Sequence, residues 1–218
     1  MFKTNVAYSQ TVKPDGNGTN ITFRLPSNYD PAYQTNGINC WQQLRNALFE
    51  TNSITNPRNF FYFGHGNSSC ICDDCGTNEI NTTDVISSLC LSDKRSRLYR
   101  FVFLFACTSA DGGFCEAFGI PNNCITEDDF RANGSRKRAF VGISGKYAIA
   151  TNNVIDTETC NFIRCFSEQW TDDSLPLWRA LERARNDSGL NTNKFKQIKI
   201  QGYTNLFFNE QNDTNIGH

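Results

Sequence analysis

The chain has 218 residues, with 21 lysines and arginines against 22 aspartates and glutamates, a net charge of −1, and 39% hydrophobic residues. This balanced charge excludes a strongly basic nucleic-acid-binding protein and gives no attraction to an anionic membrane surface. No apolar segment reaches transmembrane length, and the N-terminus has no signal-peptide core. The composition therefore predicts a globular protein with neither nucleic-acid nor membrane partners.

The ten cysteines are the unusual part of the composition. Secreted disulfide scaffolds are usually short, whereas this chain is long enough to bury a sizeable core of its own. Because no export signal is visible either, we expect a reducing, cytoplasmic location with mostly unpaired thiols.

Strand and helix signals alternate along the chain. Two short strands are predicted at 4–11 and 21–25, and an apolar stripe through Trp41 and Leu48 predicts a helix over 40–51. Between residue 55 and Cys107, the sequence predicts a strand ending at Phe63, a polar segment over 67–83, a helix over 84–91 and a strand ending before Cys107. After Cys107, it predicts a short helix over 114–119, a strand over 138–143 and a helix over 158–170. The last predicted elements are a helix that begins at Ser174 and is stopped by Gly189, and an edge strand over 196–203. This order predicts an α/β fold, with a mainly parallel sheet flanked by helices.

The strongest signal is the run Phe101-Val-Phe-Leu-Phe-Ala-Cys107, which continues into a polar, glycine-rich turn. Apolar residues without alternation are typical of a strand that is buried on both faces, as in a parallel sheet covered by helices. The carboxyl end of such a strand is where α/β proteins place their ligands. Cys107 is therefore a candidate nucleophile, and the alternative is a cysteine that merely packs at the end of a buried strand.

A second apolar run, Asn59-Phe-Phe-Tyr-Phe63, ends in Gly-His65-Gly66, and the only other histidine is the final residue of the chain. We expect His65 and Cys107 at the carboxyl ends of neighbouring parallel strands, with both side chains opening into one cleft. The imidazole would then take the thiol proton and later protonate a leaving amine. Glycine lets the backbone approach a substrate closely, so the N–H groups of Gly66 and Cys107 are predicted to bind an oxyanion.

The two runs together resemble the His-Gly and Ala-Cys motifs of the caspase-like cysteine peptidases, a superfamily that includes caspases, gingipains, clostripain, separase and CHAT domains. The segment Phe140-Val-Gly-Ile-Ser-Gly145 resembles the strand that follows the nucleophile in these proteins. The spacing of Phe162, Phe166 and Trp170 is similar to the helix pattern of the gingipain and CHAT branch.

The resemblance covers roughly residues 55–190. It implies a caspase–haemoglobinase sheet and hydrolysis of peptide bonds with His65 and Cys107 as the dyad. One position departs from the family pattern. Several families of the group carry an aspartate two residues before the nucleophile to bind a basic side chain, and Phe105 stands there. Asp111 either lines the substrate pocket instead or is an ordinary turn residue.

The strand over 138–143 is predicted to lie beside the Cys107 strand, because consecutive strands joined by a crossover tend to be neighbours. Its extension, Ser144-Gly145-Lys146-Tyr147, is then expected to form one wall of the primary specificity pocket. An extended peptide could pair with the backbone of Gly145 as an added strand, and the alternative is that Gly145 only permits a turn. The basic run Arg136-Lys-Arg138 before the strand is expected to be solvated.

The polar segment carries Cys70-Ile-Cys72-Asp-Asp-Cys75. Three thiolates at this spacing, with Cys90 as a fourth ligand, would hold a structural zinc ion. The alternatives are a disulfide or unbridged thiols on a surface loop. The predicted catalysis itself requires no cofactor.

The sequence therefore predicts one caspase-like peptidase domain over 1–218. It has no recognisable motif in 1–55, a motif-bearing core over 56–190, and an edge strand and tail over 191–218. The predicted function is a cysteine endopeptidase that cleaves a protein or peptide substrate and is switched on by cleavage or by a partner, either a separate regulatory protein or a fused domain. The alternative is a catalytically inactive caspase-like module for binding or scaffolding.

Overall fold

The computed structural model describes residues 6–12, 21–26, 58–72, 79–89, 99–129, 137–147, 150–151, 154–155, 157–171 and 175–208. The helix predicted over 40–51 lies outside these residues, as do Cys75 and Cys90.

Strands and helices alternate in the described part of the chain, as the sequence predicts. The strands are β1 (Val6–Val12), β2 (Ile21–Pro26), β3 (Arg58–Phe63), β4 (His65–Gly66), β5 (Cys70–Cys72), β6 (Glu79–Asn81), β7 (Tyr99–Phe105), β8 (Cys124–Ile125), β9 (Ala139–Ile143), β10 (Ala150–Thr151), β11 (Val154–Ile155) and β12 (Ile198–Tyr203). The helices are α1 (Thr82–Leu89), α2 (Phe114–Ala117), α3 (Thr157–Thr171), α4 (Leu177–Ser188) and α5 (Thr192–Gln197).

A five-stranded sheet in the order β3-β7-β9-β12-β8 forms the centre of the fold. The strands β3, β7 and β9 are parallel, β12 runs antiparallel to β9, and the short β8 runs parallel to β12. The α/β class is therefore confirmed, and so is the predicted position of the strand over 138–143 beside the Cys107 strand. The predicted edge strand, β12, carries β8 on its outer side at Gly202 and Tyr203.

One face of the sheet packs on α3 and α4 through aromatic rings. Phe101, Phe103 and Phe105 alternate along β7 towards this face and join a core with Phe166 and Trp170 of α3. The Phe101 and Trp170 ring centroids are 4.3 Å apart. Each such ring contributes about 1.5–3 kcal/mol of burial free energy, so this face holds β7 firmly against the helix.

The residues between those phenylalanines face the other side of the sheet. Val102, Leu104 and Ala106 pack with residues of α1, α2 and the small three-stranded sheet β4-β5-β6. All seven residues of β7 are buried. The unbroken apolar run in the sequence thus has the physical cause that was expected, because both faces of this strand are covered.

Two sequence predictions need correction. The polar segment over 67–83, for which no strand was predicted, contains β5 and β6, and Ile71 and Ile80 anchor these strands in the core. Arg138 is only 4% exposed, so the predicted solvation is wrong at this residue. Its backbone carbonyl accepts the N–H of Tyr203, so Arg138 is hydrogen-bonded to β12 although β9 itself begins at Ala139.

The other helix signals are accurate to a few residues. Gly189 follows α4 in the left-handed conformation, with φ 71°, as expected for a glycine that ends a helix. Among the described residues, no helix combines the length and the apolar character that crossing a membrane requires.

Candidate active site

The candidate dyad residues follow two paired parallel strands. In the β3–β7 register Phe63 lies beside Phe105, and beyond it the Gly64 N–H donates to the Phe105 carbonyl oxygen at 3.2 Å. His65 and Cys107 are therefore delivered to the same edge of the sheet by neighbouring strands. This confirms their predicted placement at the strand ends, whereas their catalytic roles and the common cleft stay predictions.

Cys107 is half-buried and lies against the segment after β9. Its Sγ atom accepts the backbone N–H of Tyr147 at 3.4 Å and lies 3.5 Å from the Tyr147 carbonyl oxygen, to which the thiol donates. The Tyr147 ring is buried and stands edge-on to Phe105, with 4.9 Å between centroids. Its hydroxyl is 3.1 Å from Thr159 Oγ1. A buried side chain thus fixes the backbone group that touches the sulfur.

The turn after Cys107 contains a conformation that is unusual for its residue type. Thr108 has φ 52°, the only positive φ among the described non-glycine residues. A β-branched residue in the left-handed region is strained, and such strain persists only where surrounding contacts impose it. Here the Thr108 N–H donates to the Gly145 carbonyl oxygen at 2.8 Å.

Ser109 supplies a further restraint on this turn. Its side chain is fully buried, and its hydroxyl donates to the Leu104 carbonyl oxygen at 2.8 Å and accepts the Ile143 N–H at 3.0 Å. The hydroxyl therefore joins the ends of β7 and β9 directly behind Cys107.

His65 is exposed and stands on the short ribbon formed by β4 and β5. Its position depends on Tyr62, a buried residue of β3. The Tyr62 hydroxyl lies 2.8 Å from the His65 carbonyl oxygen and 2.9 Å from the Cys72 carbonyl oxygen. One hydroxyl thus ties both strands of the ribbon to the central sheet.

The ribbon and the turn after Cys107 are in direct contact. A Cβ atom placed on Gly66 would lie 3.0 Å from the Ala106 Cβ, and one placed on Gly112 would lie 1.6 Å from the Ser68 carbonyl oxygen. Glycine at both positions is what allows this approach. The two predicted oxyanion donors, the N–H groups of Gly66 and Cys107, accordingly belong to adjoining segments.

The predicted substrate-binding residues turn out to hold the turn together. The Asp111 carboxylate accepts the Gly145 N–H at 2.7 Å, while the Gly145 carbonyl accepts from Thr108. The Ser144 N–H donates to the Gln197 carbonyl oxygen at 2.7 Å. Both backbone polar groups of Gly145 are therefore used within the chain, and a peptide cannot pair with them as predicted unless the turn opens. A role for these residues as pocket walls stays a prediction.

The cysteine cluster is only partly within the described residues. Cys70 is buried and Cys72 half-buried on β5, while Cys75 and Cys90 lie outside the described residues. Within the described ranges, no three His, Cys, Asp or Glu side chains are grouped so that they could hold a metal ion. The zinc site stays a prediction.

Two other thiols are poor candidates for a nucleophile. Burial raises the pKa of the Cys115 thiol far above its usual range, and Glu116 raises it further. Burial also raises the pKa of Cys165. Both side chains remain protonated thiols at neutral pH, and a thiol is a much weaker nucleophile than a thiolate.

Sequence reasoning missed three parts of this site. The hydroxyl of Tyr62 could have been noticed, because it is the one polar group in an aromatic run and a buried hydroxyl normally has a partner. Tyr147 belongs to the predicted pocket wall, but the contact of its backbone N–H with the Cys107 sulfur was not predicted. This contact and the strained Thr108 carry no sequence signal, since both depend on how the two loops meet.

Comparison with known proteins gives no relative for this chain: no protein-family model, no curated protein and no solved structure matches it.

Proposed function

We propose that the protein is a cysteine endopeptidase, with Cys107 as the nucleophile and His65 as the general base. The observation that carries the proposal is the delivery of these two residues to one sheet edge by the paired strands β3 and β7. The edge of a parallel sheet at the carboxyl ends of its strands is the usual ligand site of an α/β protein.

The proposed reaction uses few groups. The Cys107 thiol loses its proton to the His65 imidazole, and the sulfur attacks the carbonyl carbon of the scissile peptide bond. The imidazolium then gives that proton to the leaving amine, which breaks the C–N bond and leaves a thioester on Cys107. Water, deprotonated by the same imidazole, hydrolyses the thioester and restores the thiol. The backbone N–H groups of Gly66 and Cys107 are proposed to stabilise the oxyanion in both steps.

The turn geometry supports this assignment. Residues held in strained backbone conformations concentrate at functional sites, and Thr108 directly follows the proposed nucleophile. The contact between Gly112 and Ser68 brings the histidine ribbon against the same turn. We also propose, from the sequence resemblance, a caspase-like sheet and control by cleavage, a regulatory partner or a fused domain. A cytoplasmic location is proposed from the cysteine usage.

A second candidate function is a catalytically inactive binding module. The observation in its favour is that the Cys107 sulfur contacts both backbone polar groups of Tyr147. A thiol held in this way can serve packing alone. In that case the site would bind a protein partner without cleaving it.

A reactive peptide separates the two candidates. The test uses a set of short peptides that end in an electrophilic ketone, with every residue type at the position before the ketone, because the specificity is unknown. We expect at least one peptide to label Cys107. Labelling should disappear in Cys107→Ala and slow by about 10²-fold or more in His65→Ala, which lacks the general base.

The matched control is Cys124→Ala, which removes an exposed thiol elsewhere on the surface and should leave labelling unchanged. Each variant should keep the melting temperature of the wild type within a few degrees. Equal labelling of the wild type and His65→Ala, or cleavage of peptides by Cys107→Ala, would rule out the proposed dyad.

A further inference from the structure

The three-stranded sheet β4-β5-β6 places a second pair of thiols beside the candidate histidine. Cys72 lies opposite His65 on one side and opposite Glu79 on the other. Residues directly opposite each other in an antiparallel pair have their Cβ atoms about 4.5–5.5 Å apart and share one face of the sheet. His65, Cys72 and Glu79 therefore form a row across this face.

Cys70 lies two residues before Cys72 on the same strand, and side chains two residues apart in a strand share a face. The residue between them, Ile71, is 1% exposed and points into the core on the opposite face. Neither thiol is in a disulfide.

The two thiols differ in their surroundings. Cys70 is 4% exposed, and burial raises its pKa, with Glu79 raising it further while hydrogen bonds from Asn67 and Cys72 partly offset the rise. Cys72 is half-exposed. An external reagent therefore reaches Cys72 first, whereas Cys70 is shielded and has Cys72 as its neighbour on the same face of β5.

We propose that Cys70 and Cys72 are a redox modification site, in which a low-molecular-weight disulfide oxidises the pair to an intrastrand disulfide. The Cys72 thiolate attacks the external disulfide and releases one small thiol, which leaves a mixed disulfide on Cys72. The Cys70 thiol is a weak nucleophile by itself, but it stands beside the mixed disulfide, and this proximity gives it a high effective concentration. It loses its proton to the departing small thiolate, attacks the Cys72 sulfur, forms the Cys70–Cys72 bond and releases the second small thiol. Two protein thiols lose two electrons and two protons, and the external disulfide gains them.

Closure of this disulfide must deform β5. In an extended strand, the Cα atoms of residues i and i+2 are separated by roughly 6.4–6.8 Å. This distance is at the upper end of the range for a disulfide, in which the most frequent Cα separation is about 5.5–6 Å. The strand therefore shortens or puckers at Ile71 when the bridge forms. Because His65 pairs with Cys72 across the ribbon, its backbone must shift as well, and this consequence for catalysis rests on the proposed function.

The modification is tested on the full chain without any activity assay. The native protein is incubated with oxidised glutathione at neutral pH, its remaining thiols are alkylated, and the peptides are identified by mass spectrometry before and after reduction. We expect the peptide that contains Cys70 and Cys72 to carry an internal disulfide. The buried thiols of Cys115 and Cys165 should remain reduced.

Two variants test the order of the steps. Cys70→Ser should accumulate glutathione on Cys72, because the second nucleophile is missing, and Cys72→Ser should leave Cys70 unmodified in the folded protein. Circular dichroism confirms that each variant is folded. A disulfide from either residue to Cys75 would overturn the proposal, as would two thiols that stay reduced. Stoichiometric zinc that protects both thiols would overturn it too and would support the predicted metal site.

The effect on catalysis is measured separately, on the oxidised and re-reduced protein. We expect the rate at which a peptide ketone labels Cys107 to fall about tenfold or more on oxidation, since small displacements of a catalytic group are costly, and to recover on reduction. The same treatment of a Cys70→Ser, Cys72→Ser double variant, which can neither form the bridge nor carry glutathione on β5, should leave the rate unchanged. If the internal disulfide forms and the rate of Cys107 labelling does not change, the bridge has no effect on His65. That result would contradict the proposed effect of oxidation on catalysis.

Discussion

Replacing Gly112 by alanine tests whether the histidine ribbon and the cysteine turn really touch. A Cβ atom at this position would lie 1.6 Å from the carbonyl oxygen, 2.5 Å from the carbonyl carbon and 2.9 Å from the Cα of Ser68. All three are backbone atoms, so no side-chain rotation relieves the clash. The two segments must separate by roughly 2 Å to restore ordinary contact distances.

The expected cost follows from that displacement. Overpacking of this kind destabilises a protein by about 1–3 kcal/mol, and in a chain of this size each kcal/mol lowers the melting temperature by roughly 2–4 °C. A displacement of even 1 Å near a reacting group can cost about 10²-fold in rate. Gly112→Ala should therefore melt at a lower temperature and label Cys107 with the peptide ketone about 10²-fold more slowly.

The adjacent glycine is the matched control. A Cβ atom on Gly113 would meet only Thr82 Cγ2, at 4.0 Å, and its φ of −82° suits any residue. Alanine at this position caps the helix less well than glycine, but it loses less conformational entropy on folding. The two effects on the free energy of unfolding nearly cancel, and we expect a net change within about 0.5 kcal/mol. If Gly112→Ala matches Gly113→Ala in both melting temperature and labelling rate, the ribbon and the turn are not in contact.

Three further predictions address single groups. Thr108→Gly should raise stability by up to about 1 kcal/mol by relieving the left-handed strain, whereas Thr204→Gly, at an ordinary φ, should lower it; thermal melts of both decide. Tyr62→Phe should slow labelling of Cys107, because the hydroxyl positions the ribbon, and the free-energy equivalent of this slower rate should exceed the loss in free energy of unfolding. Equal free-energy changes would indicate a purely structural role for the hydroxyl. Alkylation of the native protein should modify the exposed Cys124 and spare Cys115, whose pKa is raised by burial; rapid modification of Cys115 would show that its pocket opens.

The strand ends could be predicted from the sequence, and the loops between them could not. The apolar runs before His65 and Cys107 specify buried strands, and burial on both faces leaves few alternatives to neighbouring positions in a parallel sheet. The strands β5 and β6 were missed because each is three residues long and only Ile71 and Ile80 anchor them in the core. Such a signal is too short for periodicity to detect.

The prediction for Gly145 failed in part for a similar reason. A glycine after a strand permits either a turn or an added strand, and the sequence does not distinguish the two. Gly145 has φ 76°, whereas a residue paired in an extended strand has a negative φ. Its hydrogen bonds to Thr108 and Asp111 also favour the turn. Contacts between residues far apart in sequence, which no local pattern encodes, determine what the glycine does.

The buried hydroxyl of Ser109 also links the turn behind Cys107 to the pairing of β7 with β9. It bridges Leu104, five residues away in sequence, and Ile143, 34 residues away. The second bond cannot form until β9 has crossed over and paired with β7, and non-local parallel pairing is a slow step because loop-closure entropy is lost before contacts form. The turn behind Cys107 therefore reaches its final hydrogen bonding only in chains in which β9 has docked beside β7. Any change that detaches β9 from β7 would also break this bond and release the turn that follows Cys107.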